Sequence, residues 1–156
     1  MAHHIHAIIT SFPYAGPPSQ LPLQDTYHLI PVNDPASQEE LISPYENLSP
    51  RTRELLKALS LQGTCAYIET NYFGGLGTQV AEIWENGVLI VGPLVSFDGV
   101  ENRMQNPNIT VVEAAINQAL QTMGLQAQAG KDEFDTLGLG RFRSSRKVWE
   151  VIRDQG

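Results

Sequence analysis

Residues 80–95 read VAEIWENGVLIVGPLV, two apolar runs that flank Asn86-Gly87. Asn-Gly is the preferred pair for a two-residue type I′ turn, because both positions need a positive φ. The stretch therefore predicts a β-hairpin, and the turn sets its register. The predicted cross-strand pairs are Glu85 with Val88, Trp84 with Leu89, and Ile83 with Ile90.

Both faces of this hairpin are predicted to be apolar. The side chains of Trp84, Leu89 and Val91 share one face, and those of Ile83, Val88 and Ile90 share the other. A strand pair that faces water on one side alternates apolar and polar residues, which this one does not. We therefore expect helices on one face and a loop, the C-terminal segment or a second subunit on the other. A homodimer through that face is one of the alternatives.

Further strands and two main helices are predicted around the hairpin. The strands are expected at residues 5–9, about 26–32 and 64–73, where β-branched and aromatic residues are frequent. One helix begins at Ser49-Pro50, a capping hydroxyl before a proline at the first helical position, and ends at Gly63. The other begins with a capping box of Thr110 and Glu113 and ends at Gly124.

Two shorter helices complete the predicted order of elements. Ser37 with Glu40 indicates a start of one or two turns, and Ser144 is expected to cap a short helix in the tail. Strands joined by hairpins, with the helices grouped between them, favour an α+β fold. We predict a mostly antiparallel sheet with two main helices packed on it, in a single domain over residues 1–156.

Composition and charge restrict the class of partner. The chain has 156 residues and a net charge of −7; residues 1–130 hold twelve acidic and four basic residues, and the rest five acidic and six basic. Phosphate binding requires neutralisation by Lys or Arg, so this balance opposes nucleic acid and anionic membranes. It favours a basic protein partner.

Location is predicted from the apolar runs and the single cysteine. No stretch of 18 or more apolar residues and no leader pattern is present in the sequence. Cys65 is the only cysteine, so no intrachain disulfide can form, which suits a reducing compartment. We expect a cytoplasmic protein that does not associate with membranes.

Metal, cofactor and nucleophile chemistry is not predicted. His3, His4 and His6 are close in sequence, but the remaining histidine, His28, does not complete a recognisable ligand set. Cys65 lies in an apolar strand and is expected to pack as a small hydrophobe. No Gly-x-Ser-x-Gly nucleophile elbow occurs in the sequence. We therefore assign no catalytic residue, metal or cofactor.

The best polar site that the sequence allows centres on Glu69. It shares a strand face with Tyr67 and Asn71, and Arg141 or Arg143 from the tail is its candidate counter-ion. The glycine loop that follows lacks the Lys-Ser or Lys-Thr pair and the helix of a phosphate-binding loop, so a tight turn or bulge is predicted there. The candidate ligand-binding residues are Glu69, Tyr72, Gly74, Gly75, Gly77 and Arg141.

Parts of the second half of the chain resemble a known group of sequences. These parts are residues 66–77, residues 80–87 with Gly92-Pro93, and residues 132–135 with 139–141. They are similar to an uncharacterised family of small bacterial proteins, some of which resemble immunity proteins that bind and block a toxin. The resemblance implies a protein partner and assigns no functional residues.

Two functional hypotheses follow. The first is a non-enzymatic interaction domain, of the immunity type, whose acidic surface steers a basic partner and whose apolar strand residues anchor it. The second is a small enzyme or ligand-binding domain with a pocket at Glu69, the Gly74–Gly77 loop and the Arg-rich tail. A deep pocket lined by Glu69, Tyr72 and Arg141 would favour the second, and a flat acidic surface the first.

Overall fold

A computed structural model describes residues 2–13, 20–23, 27–32, 45, 48–100, 109–142 and 144–155. In these ranges eight strands form one sheet in the order β3-β4-β2-β5-β6-β7-β8, with β1 pairing β5 beside β2. All pairs are antiparallel except β7 with β8. The strands are β1 Ala2–His3, β2 His6–Thr10, β3 Leu21–Pro22, β4 His28–Pro31, β5 Cys65–Phe73, β6 Leu76–Glu85, β7 Val88–Asp98 and β8 Thr110–Val111.

Helices cover both faces of this sheet. They are α1 Pro50–Leu59, α2 Ala115–Thr122, α3 Glu133–Thr136 and α4 Ser145–Gln155, with a 3₁₀ turn at Leu139–Arg141. One core lies between α1 and the sheet, and we call that side the α1 face. The second core holds α2, α4 and the segment between them, on the side we call the α2 face. The predicted α+β class is confirmed, and α4 is longer than either of the two helices expected to dominate.

The predicted hairpin is confirmed at its turn, but the predicted pairing of Ile83 with Ile90 is wrong. Asn86 and Gly87 both have positive φ, and Trp84 pairs with Leu89 as expected. Ile83, however, pairs with Val91, so Ile90 is an extra residue in a β-bulge. A bulge moves the following residues to the opposite face, which is why Val91 packs on the α2 face and not beside Trp84.

A second irregularity restores the alternation of β7. Ala81 pairs with Leu94, so Gly92 and Pro93 together lie opposite Glu82. Gly92 has a φ of 110°, and a Cβ at this position would lie 2.8 Å from the carbonyl oxygen of Ala81. Only glycine fits this close approach without strain. Beyond it, Val95 is again on the α1 face, where it is buried.

Helix α1 begins as predicted. The backbone N–H of Thr52 donates to the Ser49 hydroxyl, and Pro50 is the first helical residue. Leu56 and Leu59 point into the α1-face core. In the tail, the Ser144 hydroxyl accepts from the N–H of Lys147, so the predicted cap of α4 is confirmed as well.

The capping box predicted for α2 is wrong. Thr110 and Val111 form β8, Val111 is 51 % exposed, and α2 begins only at Ala115. The sheet caps this helix instead: the N–H groups of Ala115 and Ile116 donate to the Ser96 hydroxyl and the Gln79 amide oxygen, each at 3.0 Å. Tertiary contacts therefore satisfy the donors that the local pattern assigned to Thr110.

Some predictions fall outside the described ranges, and some elements were not predicted. The short helix at residues 37–40 and the first residue of the strand expected at 26–32 are not described. Strands β1, β3 and β8 are only two residues long, too short for a periodic signal. No helix in the described part of the chain is long and apolar enough to cross a membrane.

Candidate functional site

Glu69, the centre of the predicted polar site, is a buried residue of β5. Its side chain lies on the α1 face, where Oε2 accepts a hydrogen bond from the Tyr67 hydroxyl at 2.7 Å. Burial raises the pKa of Tyr67, and the nearby Glu69 charge adds to that effect. The phenol is therefore a persistent donor to the carboxylate. Arg143, one of the two predicted counter-ions, lies outside the described residues.

Tyr72 lies on the opposite face of β5 from Glu69, because their positions differ by an odd number along the strand. Its hydroxyl donates to the carboxylate of Asp98 on β7. Tyr72, Gly77 and Asp98 are register partners on three successive strands, so the phenol crosses the position where Gly77 has no side chain. Burial, followed by the hydrogen bond to Asp98, raises the pKa of Tyr72.

The glycine loop is a tight turn, as predicted. Gly74 and Gly75 have φ values of 62° and 83°, are exposed and connect β5 to β6. At Gly77 a Cβ would collide with the backbone of Asn71 and Tyr72. These glycines are required by the turn and by close backbone approach, which accounts for their presence without a bound anion.

Arg141, the last predicted site residue, is exposed on the α2 side of the sheet. Its Nε donates to the Gly138 carbonyl at 3.1 Å, and its guanidinium lies 5.0 Å from the centre of the Phe142 ring. The neighbouring Leu139 and Phe142 are buried in the α2-face core. The structure thus brings Tyr72, Gly74, Gly75 and Gly77 together in one hairpin and places Glu69 and Arg141 in different layers.

A buried ion pair that the sequence did not predict links α1 to the sheet. The side chain of Glu82 is fully buried on the α1 face and accepts two hydrogen bonds from the Arg53 guanidinium and one from Trp84 Nε1 at 2.7 Å. Burial acts to lower the pKa of Arg53, but Glu82 outweighs it and the pKa is raised. The sequence did contain one indication of this pair. Glu82 is an acidic residue inside an apolar strand that was expected to be covered on both faces.

An aromatic neighbour completes this cluster. The ring of Tyr45 packs edge-on against Tyr67, with 5.4 Å between the ring centres. Burial, and then the charge of Glu82, raises the pKa of the Tyr45 hydroxyl. Both phenols and the guanidinium therefore keep their protons at neutral pH. Tyr67 and Arg53 donate hydrogen bonds, whereas the buried Tyr45 hydroxyl has no hydrogen-bond partner among the described residues.

The cysteine and the histidines have structural surroundings. Cys65 is buried, burial raises its pKa to about 12, and its thiol faces the Leu56 carbonyl oxygen at 3.6 Å. His3 Nδ1 lies 2.7 Å from the Thr70 hydroxyl, and His6 Nδ1 lies 3.3 Å from the Ser145 hydroxyl. Among the residues that the structure describes, no three His, Cys, Asp or Glu side chains converge as a metal site would require.

One end of the sheet exposes a group of apolar side chains that we call the hairpin tip: Phe73, Leu76 and Val100. Phe73 is 77 % and Leu76 53 % exposed, and they are cross-strand partners beside the Gly74-Gly75 turn. Leu76 lies directly against Gly99, which precedes the exposed Val100. Contiguous exposed apolar surface of this kind is typical of binding sites.

A groove of about 470 Å³ lies between α2 and α3. We call it the α2–α3 groove, and it is lined by Val112, Glu113, Ala114, Asn117, Gln118, Gln121 and Glu133. Of the described residues, the lining contains two carboxylates and three carboxamides and no basic side chain. None of the six residues of the predicted ligand site belongs to it.

The chain matches no protein-family model, no curated protein and no solved structure. The resemblance to small bacterial proteins stays a prediction, and the site has to be interpreted from its own geometry.

Proposed function

We propose that this chain is a non-enzymatic interaction domain that binds a basic protein, and that it acts in the manner of an immunity protein by occupying a toxin. The observation that carries the proposal is the exposed hairpin tip. Its large apolar side chains are the kind of anchor that protein interfaces bury at their centres.

The polar chemistry of the described residues supports binding over catalysis. Glu82 is held by Arg53 and Trp84, and Glu69 by Tyr67, all within the α1-face core. Cys65 is a buried thiol with a raised pKa. Groups with these internal partners stabilise the fold and do not present a nucleophile or base to a substrate.

Charge supports a basic partner at the tip end of the sheet. Asp98 lies two strands from Tyr72 at this end and is exposed, and the α2–α3 groove adds the exposed Glu113. The opposite end also exposes apolar side chains, Leu61 and Val88, but Lys57 reaches towards Gly87 there and offsets Glu85. Opposite charge around an apolar anchor raises the association rate and selects the partner.

The proposal is tested by capture from the native host with a matched pair of double variants. Phe73→Ser with Leu76→Ser removes the two largest side chains of the tip, and Leu61→Ser with Val88→Ser removes comparable apolar side chains, 67 % and 58 % exposed, at the opposite end. Circular dichroism first establishes that both variants fold. The captured protein is identified by mass spectrometry, purified and titrated against each variant.

The expected partner is a basic protein that binds the wild type and the Leu61/Val88 variant, loses affinity for the tip variant and dissociates at high ionic strength. For the immunity activity, a toxin-like gene directly upstream is co-expressed, and the wild-type chain but not the tip variant is expected to rescue growth. An acidic partner, equal binding by both variants, or a tip occupied by a second copy of this chain in light scattering would each overturn the proposal.

A further inference from the structure

We infer that a polar cluster buried between α1 and the sheet binds one ordered water molecule, which bridges the hydroxyl of Tyr45 to the carboxylate of Glu82. We call it the α1-face polar cluster, and it consists of Tyr45, Arg53, Tyr67, Glu69, Glu82 and Trp84. The inference does not depend on the proposed function. It is carried by the Tyr45 hydroxyl, the one buried side-chain polar atom among the described residues that has no hydrogen-bond partner.

Tyr45 is held deep in the α1-face core. Only 4 % of the residue is exposed, and its ring packs edge-on against Tyr67, with 5.4 Å between the ring centres. A hydroxyl removed from bulk water without a compensating hydrogen bond destabilises the folded state. Buried polar groups of native proteins are therefore paired, either with protein atoms or with ordered water. Tyr45 needs a partner that the described side chains do not supply.

The Tyr45 hydroxyl faces the charged groups of the cluster. After burial, the charge of Glu82 contributes most to raising the pKa of Tyr45, with Arg53 opposing it and Glu69 adding a smaller effect. Glu82 is thus the charged side chain that acts most strongly on this hydroxyl, although the two form no hydrogen bond of normal geometry. Two polar groups that are close but not bonded are commonly joined by a bridging water.

Glu82 has an acceptor site to spare. Its Oε2 accepts from Arg53 Nε at 3.1 Å and from Trp84 Nε1 at 2.7 Å. In the described part of the chain, Oε1 accepts one hydrogen bond, from Arg53 Nη2 at 2.6 Å. The two oxygens of an ionised carboxylate together offer about four acceptor sites. Oε1 can therefore accept from a water molecule that in turn accepts from Tyr45.

The charges of the cluster favour a neutral ligand. Arg53 already neutralises Glu82, and its guanidinium would repel a second cation at Oε1. An anion would be repelled by the two buried carboxylates, Glu82 and Glu69. Water both donates and accepts, so it satisfies the phenol and the carboxylate together without adding a charge at a site of low dielectric constant.

The sheet fixes the groups that surround this site. Glu82 and Tyr67 are register partners on β6 and β5, so the carboxylate and the ring that supports Tyr45 are neighbours on the α1 face. Tyr67 is held in turn by its hydrogen bond to Glu69 at 2.7 Å. The water therefore joins Tyr45 to side chains whose positions are set by strand pairing.

The test is a crystal structure of the full chain that resolves ordered water. We expect one water within hydrogen-bond distance of both Tyr45 Oη and Glu82 Oε1. Tyr45→Phe should lose this water, because the hydroxyl that donates to it is gone. Tyr27→Phe is the control variant, since it removes a phenol hydroxyl from the α2-face core and should leave the water in place.

Stability separates a bridged hydroxyl from a dry one. With the water in place, Tyr45→Phe loses a hydrogen bond, and the unfolding equilibrium constant measured in urea should rise about fivefold. A dry hydroxyl predicts the opposite, since deleting it removes an unsatisfied buried group. The inference is overturned by a wild-type structure without this water, by a direct bond between Tyr45 Oη and Glu82, or by a stabilised Tyr45→Phe. If Tyr45→Phe does not fold, the wild-type structure decides alone.

Discussion

Arg53 of α1 donates two hydrogen bonds to the carboxylate of Glu82 in β6, from Nε to Oε2 at 3.1 Å and from Nη2 to Oε1 at 2.6 Å. The glutamate side chain is fully buried, while a quarter of the arginine side chain is exposed. The arginine thus fastens α1 to the sheet and neutralises a charge that lies opposite the irregular Gly92-Pro93 segment of β7.

Arg53→Met is expected to destabilise the protein by about 3 kcal/mol, because it leaves Glu82 charged and buried without its partner. Arg51→Met, at an exposed position of the same helix, should cost less than about 0.5 kcal/mol. Urea unfolding followed by circular dichroism measures both. Adding Glu82→Gln to Arg53→Met should restore part of the loss, and equal effects of the two Arg variants would contradict the role given to this pair.

Stability is expected to fall on mild acidification through His6. Burial lowers the pKa of His6 below 6.5, against the opposing effect of its hydrogen bond to the Val32 backbone. The unfolded chain then binds more protons than the native one between the folded pKa and 6.5, so the free energy of unfolding rises with pH there. This contribution is complete above 6.5 and is lost as the pH falls through the folded pKa.

The variant His6→Asn should flatten that pH dependence, and His4→Asn, at an exposed position, should leave it unchanged. The measurement is a series of urea unfolding curves between about pH 5 and pH 8. A slope that survives His6→Asn, or that vanishes with His4→Asn, would assign the effect to another group.

The capping of α2 by the sheet predicts an asymmetry between two hydroxyl deletions. Ser96→Ala should cost about 1 to 2 kcal/mol, because the N–H of Ala115 loses its acceptor in a buried environment. Thr110→Ala, at an exposed residue of β8, should cost less than about 0.5 kcal/mol. Thermal unfolding measures both variants. If Thr110→Ala lowered the melting temperature more than Ser96→Ala, the capping box of Thr110 and Glu113 would be what stabilises the start of α2.

Cys65 is expected to be inert in the native protein. A thiol with a pKa of about 12 is almost entirely protonated at neutral pH, and the residue is buried. Alkylation at about pH 8 should be at least a hundredfold slower than in the urea-unfolded chain, by the loss of thiolate alone. Mass spectrometry reports this directly because the chain has one cysteine. Comparable rates in both states would mean that the α1-face core opens readily.

Local signals in the sequence were sufficient where the chemistry of a few adjacent residues decides the structure. Asn86-Gly87 predicted its turn because few residues tolerate positive φ, and Ser49 and Ser144 predicted their helix starts through their hydroxyls. Failures occurred where a distant strand competes. Thr110 was assigned to a cap, but pairing of β8 with β7 and the side chains of Ser96 and Gln79 satisfied the helix instead.

The candidate site was less predictable for the same reason. Glu69 was chosen as the centre of the candidate site without a prediction of its burial; it is buried, and the partner described for it is Tyr67, two residues away on the same face. Glu133 carries no periodic or motif signal. Its burial and its hydrogen bond to Gln121 depend on how α2 packs against α3, and this is a property of the tertiary structure.

The sequence by itself determined the α+β class, the turn at Asn86-Gly87 and the positions where α1 and α4 begin, because backbone conformational limits and local hydrogen bonds act over a few residues. Only the tertiary structure decided that β7 bulges opposite Glu82, that Arg53 neutralises this acid, and that Glu133 lies buried beside the α2–α3 groove. Burial and ion pairing depend on atoms far apart in the chain, and no local pattern of residues records them.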